Sequence, residues 1–272
     1  MKITVLAENT TSNQNLSCEH GLSLYIETKN HKILFDMGQT DLFADNAKKL
    51  GVDLTAVDLA ILSHGHYDHG GGLRKFLEIN KTAPVYISKY AFEPYYNGTE
   101  KYIGLDVSLA ESDRLVYAKD GEEIAESLTL YHCNDKKRSY NLGSFGLNKK
   151  TGDLFEPDDF LHEQYLCIEE DGKKILVSGC SHKGILNIVE WFMPDVLIGG
   201  FHFSTLALDA RLEEYAKVLE SFETQYYTCH CTGGAQYEFM KKTMQKLSYI
   251  AVGDVVQIWG NNEHQAIDKM VR

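Results

Sequence analysis

The run Leu62-Ser63-His64-Gly65-His66-Tyr67-Asp68-His69-Gly70-Gly71-Gly72 constrains this chain more than any other stretch. Three imidazoles and one carboxylate fall within six positions, His64 to His69. An apolar run of buried-strand length, Val57 to Leu62, precedes them. Glycines and a helix-like stretch, Leu73 to Asn80, follow. A strand that ends in such a turn and passes into a helix holds the backbone on both sides. Glycine then allows close approach and unusual torsions. A solvated His-rich turn without an ion is the plain alternative, and the flanking elements weigh against it.

Neutral imidazole and carboxylate suit zinc, manganese and iron better than calcium or magnesium. His64 and His66 are two apart, so on extended backbone they point to one side and can share an ion. Asp68 and His69 lie where the chain turns toward the helix and can hold a second ion. Two ions together can polarise a substrate oxygen and generate a nucleophile from water.

Length and composition fit one domain over residues 1–272. Hydrophobic content of 43% and charged content of 24% are ordinary for a globular protein. The net charge of -12 argues against nucleic-acid binding, which needs clustered Lys and Arg. It allows a small anionic substrate, because bound metal ions can dominate a site's charge. No apolar window reaches the ~20 residues that span a bilayer, and the start, Met1 to Glu8, reads as a strand rather than a signal peptide. Six cysteines without framework spacing point to reduced thiols in a cytoplasm. The expected partner is a small molecule, with no membrane and no nucleic acid; a homo-oligomer is left open.

Strand and helix patterns alternate along the chain. Strands are expected over 2–8, 22–28, 32–36, 57–62 and 84–88, with helices at 41–50 and 73–80. The segment 89–160 is the least regular, with short strands at 114–118 and 127–132 and a loop over 141–159. It is expected to be a substrate-facing insertion, since long loops in compact domains are usually functional. The second half predicts strands at 164–169, 174–178, 195–200 and 225–229, helices at 184–193, 206–221 and 234–246, and a terminal strand pair, 249–252 with 255–259.

The His-x-His-x-Asp-His spacing resembles the metal-binding signature of the metallo-β-lactamase superfamily. Ile33-Leu34-Phe35-Asp36-Met37-Gly38 is similar to that superfamily's strand ending in Asp-x-Gly. Further along stand Glu19-His20-Gly21-Leu22-Ser23, Asn46-Ala47, Gly179-Cys180-Ser181-His182, Gly199-Gly200-Phe201-His202 and His230-Cys231-Thr232-Gly233. This set resembles the branch that includes the dihydropterin-ribofuranosylaminobenzene-phosphate synthases. The resemblance implies an α/β fold, a four-layer αββα metallo-β-lactamase-like sandwich with two related halves.

The resemblance also implies a ligand set. His64, His66, Asp68, His69, His182 and His230 are expected to hold two divalent ions, zinc first, with manganese or iron as alternatives. Most of the superfamily carries Gly-Asp where this chain has Gly179-Cys180, so the usual bridging carboxylate is missing. Cys180, His162, Glu163 and Asp36 are expected either as further ligands or as groups that hold the ligands from behind. His20, His202, Thr232 and Gly233 are expected to face substrate. His132 reads as a pocket or strand histidine, and His31 and His264 as exposed.

The implied chemistry is attack by a metal-bound hydroxide on a phosphoester or cyclic phosphate of a pterin-like or nucleotide-like molecule. Asp68 would orient the water and His202 would protonate the leaving group. Sixteen tyrosines would suit stacking on a ring. Two alternatives remain at this point. One is a diiron oxidoreductase, although the flavin-linked diiron members carry Glu where this chain has His66. The other is a non-catalytic sensor that binds a metal or ligand.

Overall fold

The computed structural model describes residues 1–258. Two seven-stranded sheets face each other. The first runs Val255–Gln257, Lys2–Ala7, Ser23–Glu27, Lys32–Phe35, Leu59–Ile61, Val85–Tyr86, Leu115–Val116. The second runs Leu247–Tyr249, Gln225–Thr228, Val196–Gly199, Lys173–Val177, Tyr165–Glu170, Leu128–Tyr131, Glu122–Ala125. Each sheet is antiparallel on one side and parallel on the other, with the change at Lys32–Phe35 in one and Lys173–Val177 in the other. The two halves therefore repeat one plan.

The strand sequences explain the layering. Ile33, Phe35, Leu59 and Ile61 point between the sheets, against Leu166, Ile168, Ile175, Val177, Val196 and Ile198. The residues between them point outward. Leu34 and Ala60 meet Phe43 and Phe76 of the helices Leu42–Lys49 and Leu73–Ile79. Leu176 and Leu197 meet the helices Ile185–Phe192 and Ala210–Glu220, and Met240 from Gly234–Met240 joins them. Strands buried on both faces read as continuous apolar runs because neither set of side chains reaches water. Truncating one of them, such as fully buried Leu197 to Ala, is expected to cost about 2–5 kcal/mol. The result is the expected αββα sandwich.

Several boundaries differ from the sequence reading. The helix expected over 206–221 begins at Ala210, because the Asp209 side chain caps it by accepting from Arg211 N at 3.0 Å and Leu212 N at 3.3 Å. The helix expected to reach 246 ends at Met240. The terminal strands do not pair with each other. Leu247–Tyr249 joins Gln225–Thr228 in the second sheet, and Val255–Gln257 crosses to Lys2–Ala7 in the first. Alternation shows that a strand exists but not which edge takes it. Residue 259, expected in the last strand, and His264 lie outside the described residues.

The segment 89–160 is not one insertion. Leu115–Val116, Glu122–Ala125 and Leu128–Tyr131 complete the two main sheets. The remainder, including the expected loop, builds a third sheet: Leu154–Pro157, Leu147–Thr151, Tyr95–Asn97, Lys101–Tyr102. Asn and Lys at half-exposed positions and an exposed Glu156 give this hairpin no hydrophobic alternation. Its small core of Tyr95, Ile103, Leu147 and Phe160 takes Tyr67 and Phe145 against it. Among the described residues no helix is long and apolar enough to cross a membrane.

Candidate metal centre

The parallel strands of both sheets end on the same side, and the expected site residues gather there. Asp36 follows the strand Lys32–Phe35 in left-handed backbone, φ 58°. Such torsions cost energy for a residue with a Cβ and cluster at functional sites. Its carboxylate accepts from Ser63 N, Ser63 Oγ and His69 Nδ1, each at 2.7 Å. Asp36 therefore braces the His turn and uses both oxygens to do so. The Ser63 hydroxyl proton is spent on Asp36, so His64 Nδ1–H donates to Ser63 Oγ at 2.8 Å. That leaves a lone pair on His64 Nε2, which is buried without a partner.

His66 is the N-cap of a short helix, Tyr67–Gly70, which carries Asp68 and His69. The His64 and His66 rings lie 4.6 Å apart, as expected for side chains on one side of an extended segment. Gly65 between them is obligatory: a Cβ there would fall 2.1 Å from Ala91 O. His69 Nε2 points inward, 3.2 Å from both Cys180 Sγ and His230 Nε2.

The second sheet supplies the other side. Lys173–Val177 leads through Ser178 and Gly179 to Cys180, Ser181 and His182. A Cβ on Gly179 would lie 2.1 Å from Ser63 Oγ, so glycine lets the two halves touch. Ser181, His202 and His230 all adopt positive φ, at 58°, 56° and 49°. His230 Nδ1–H donates to Asn9 Oδ1 at 2.8 Å, which turns Nε2 toward His69 and toward Asp68 Oδ2 at 3.4 Å. His182 stacks on Phe160 with ring centroids 4.6 Å apart, and its Nδ1 lies 3.3 Å from Glu163 Oε1. His202 packs against His182 at 4.5 Å and beneath Phe145 at 4.4 Å.

These residues fit divalent metal. Buried polar atoms nearly always find a hydrogen-bond partner. Here His64 Nε2, His66 Nε2, His182 Nε2 and His202 Nδ1 are buried without one. One atom each of His64, His66 and His182 lies within 4.8 Å of the others, and the same holds for His64, His69 and Cys180. Around Asp68, His69, Cys180 and His230 the donor separations run 3.2, 3.2, 3.4 and 4.0 Å. A tetrahedral ion with N, O and S ligands sets its donors about 3.3–3.6 Å apart.

Electrostatics favour the ligating forms of His64, His66 and Asp68. Burial, helped by neighbouring histidines, holds His64 well below its ordinary value, and burial pushes His66 down to about 3. Both are neutral imidazoles at neutral pH, the form that binds metal. Burial opposes charge on His69 as well, but Asp36 and Asp68 outweigh it and raise the group to about 9. A cation at Nε2 would satisfy the same carboxylates. Burial works against an ionised Asp68, yet His69, His20 and His230 hold it well below the carboxylate range.

The remaining expectations fall out differently. His162 is not aimed at the donors: Gly65 N–H donates to its Nδ1 at 2.8 Å, and its Nε2 faces Asp158 Oδ2 at 3.1 Å. Glu163 accepts from His182 N at 2.6 Å, Lys183 N at 3.0 Å and Tyr165 Oη at 2.5 Å. It therefore braces the Cys180–His182 turn, much as Asp36 braces the first. Thr232, expected to face substrate, is enclosed by protein. It is fully buried, and its hydroxyl oxygen accepts from Phe201 N at 2.9 Å. Gly233 lines a cavity of about 730 Å³ together with Asn9, His20, His230, Tyr237 and Tyr249. His20 is exposed and reaches Asp68 Oδ2 at 3.2 Å. His132 is half-buried against Gln164 Oε1 at 3.2 Å, and His31 is half-buried beside Asp58.

The sequence reading missed four participants. Asp158 holds His162 and approaches His66 to 3.9 Å. Glu8 accepts from His230 N and Tyr249 Oη, both at 2.7 Å. Asn9 orients the His230 ring. Lys183 is buried, and its Nζ donates to His132 O, Asn134 Oδ1 and Glu163 O. Only Lys183 carried a local signal, its place next to His182. The others act from distant strands or loops.

The fold and this centre define a metal-binding α/β sandwich, and the chain belongs to the metallo-beta-lactamase superfamily, whose model matches residues 16–221. Membership implies a divalent-metal site, and the His, Cys and Asp clusters provide a place for one. The chain is 28% identical to the 7,8-dihydropterin-6-methyl-4-(beta-D-ribofuranosyl)-aminobenzene-5'-phosphate synthase of Methanocaldococcus jannaschii, over 94% of its own length and 96% of the relative's. It is 29% identical to an uncharacterized protein of the same organism, covering 95% of this chain and 99% of that one. A crystal structure described as a metal-dependent hydrolase of the beta-lactamase superfamily superimposes with a TM-score of 0.79 at 28% identity, over 95% and 99% of the two chains.

Proposed function

We propose that this protein is a metal-dependent hydrolase acting on a phosphoester or cyclic phosphate of a small pterin-like or nucleotide-like molecule. The carrying observation is the set of buried imidazole nitrogens without partners, on His64, His66, His182 and His202, gathered from both sheets beside Cys180. His64, His66 and His182 would hold one ion; Asp68, His69 and His230 the other, with zinc the first choice for their donor chemistry. Bound ions would supply Lewis acidity, polarising a phosphoryl oxygen and acidifying water.

The chain's own groups do the rest. Asp68 Oδ2 faces His230, His69 and His20, and it orients the attacking water and accepts its proton. His202 lies within reach of His182 on the opposite flank and donates a proton to the leaving oxygen. Phe145 covers His202 and offers a face for a flat ring. Lys101, with Nζ 3.1 Å from Tyr67 Oη, offers a positive charge for an anionic group. The likeness to a dihydropterin phosphate synthase supports this substrate class, and that to a metal-dependent hydrolase supports the reaction type.

The test is metal analysis of the purified protein combined with turnover of a generic aryl phosphodiester. Two tightly held ions and hydrolysis that drops at least ~1000-fold in His66→Ala, the scale of removing one member of a catalytic set, are expected. A metal-loaded protein that cleaves lactams or thioesters but no phosphoester would overturn the phosphate assignment. Tight ligand binding without metal or turnover would establish a sensor instead.

A further inference from the structure

The buried cysteines do not share one environment. Cys133 and Cys167 pack in the apolar core outside the second sheet, and Cys229 in the core between the sheets. A free buried cysteine ordinarily behaves in this way, as a small hydrophobe. Cys180 is equally buried but belongs to none of the apolar clusters. Its sulfur is surrounded by metal-ligating atoms. It falls within 4.8 Å of donors from His64 and His69, from His182 and His202, and from His230 and Cys231. His69 Nε2 is only 3.2 Å away.

That placement is central. His64 and His182 belong to the first donor cluster, and His69 and His230 to the second. One sulfur borders both. We propose that Cys180 is a thiolate ligand shared between the two metal positions, so that the centre is a sulfur-bridged pair rather than an all-nitrogen-and-oxygen one. This rests on the two-ion reading above. Binding exchanges the S–H bond for sulfur–metal bonds and releases one proton to solvent. A soft thiolate at the junction favours zinc or iron over manganese and magnesium.

Cys231 is the competing sulfur, and its geometry sets it aside. Its thiol points at Cys180 O, 3.6 Å away. It is wedged against Gly200, where a Cβ would come within 2.3 Å of its sulfur. Cys231 shares a donor cluster with Cys180 and His230, but its bond to Cys180 O makes it a brace of the Cys180 turn, and the bridge is assigned to Cys180.

Cobalt(II) tests this without reference to activity, because a thiolate ligand gives intense sulfur-to-cobalt charge-transfer absorption in the near ultraviolet. The full-length protein, stripped of metal and reloaded with cobalt, is expected to show that band and two bound ions. C231S should keep both. C180A should lose the band and weaken the binding of at least one ion by about 100-fold or more. C180D, which supplies a carboxylate to bridge in place of sulfur, should lose the band yet hold both ions, and it also guards against a misfolded C180A. Two bound ions with no charge-transfer band in the unmodified protein would overturn the thiolate and leave the two-ion reading standing. A band that vanishes in C231S but survives in C180D would assign the sulfur to Cys231 and overturn it equally. Failure to bind any cobalt would overturn both readings together.

Discussion

The two sides of the centre are built on opposite principles. The first is contiguous. His64, His66, Asp68 and His69 lie on one segment that runs from the end of Leu59–Ile61 into the short helix Tyr67–Gly70, and one buried carboxylate, Asp36, braces it. The second is assembled. Cys180 and His182, His202 and His230 come from the ends of successive parallel strands, and left-handed backbone at Ser181, His202 and His230 turns the chain at those ends. Glu163 and Glu8 brace it from the ends of two further strands, just outside Tyr165–Glu170 and Lys2–Ala7. A contiguous site needs one turn to form. An assembled site needs the sheet in register, so its precision is a tertiary property.

The largest effect expected from this contrast is at Asp36. Asp36→Ala removes three hydrogen bonds at once and frees the His69 ring. Metal affinity is expected to fall about 10–100-fold, and stability by about 3–5 kcal/mol, as for a broken buried ion pair. Metal titration and thermal unfolding would check both. If affinity held while stability fell, the first turn would be preformed without its brace, and the contrast would fail.

Glu163→Gln probes the second side more gently, because a neutral amide can keep one acceptor. A loss of about 1–3 kcal/mol is expected. The pH response carries the sign. Burial disfavours an ionised Glu163, but His182 and Lys183 outweigh it and hold the group below its ordinary value of 4.5. The folded metal-free protein then binds fewer protons than the unfolded one. Glu163 stabilises fully above pH 4.5, and that stability is lost as the pH falls toward its folded value. Unfolding midpoints measured from neutral to acid pH should fall less steeply in Glu163→Gln than in the unmodified protein.

The smallest effect is at the roof. Phe145 adopts φ 56° and joins the third sheet's small core, while it covers His202. Phe145→Ala is expected to raise KM for a ring-bearing phosphoester by about 2–10-fold, with the bound metal unchanged. Equal effects on aliphatic and aromatic substrates would show that Phe145 merely packs.

How much of this was readable in advance follows the same division. The His turn declares itself because ligand spacing, strand end and glycines coincide within a dozen residues. Cys180, His182, His202 and His230 were readable one at a time, each as a residue at the end of an apolar run. Their grouping around Cys180 was not readable. Asp158, Glu8 and Asn9 stayed hidden because a carboxylate or amide on a loop looks the same whether it braces a ligand or faces water. The hairpin 147–157 reads as loop because its half-exposed and exposed strands lack alternation.

By itself the sequence determined most of the buried strands and helices and the first four candidate donors. Both depend on local periodicity and short spacing, which the chain carries wherever it folds. Tertiary structure alone decided which strand ends meet and which imidazole nitrogen each brace leaves free. It also decided that one sulfur would stand between the two donor clusters. Those outcomes depend on the register and facing of two sheets, set by contacts between residues more than a hundred positions apart, such as His69 with Cys180.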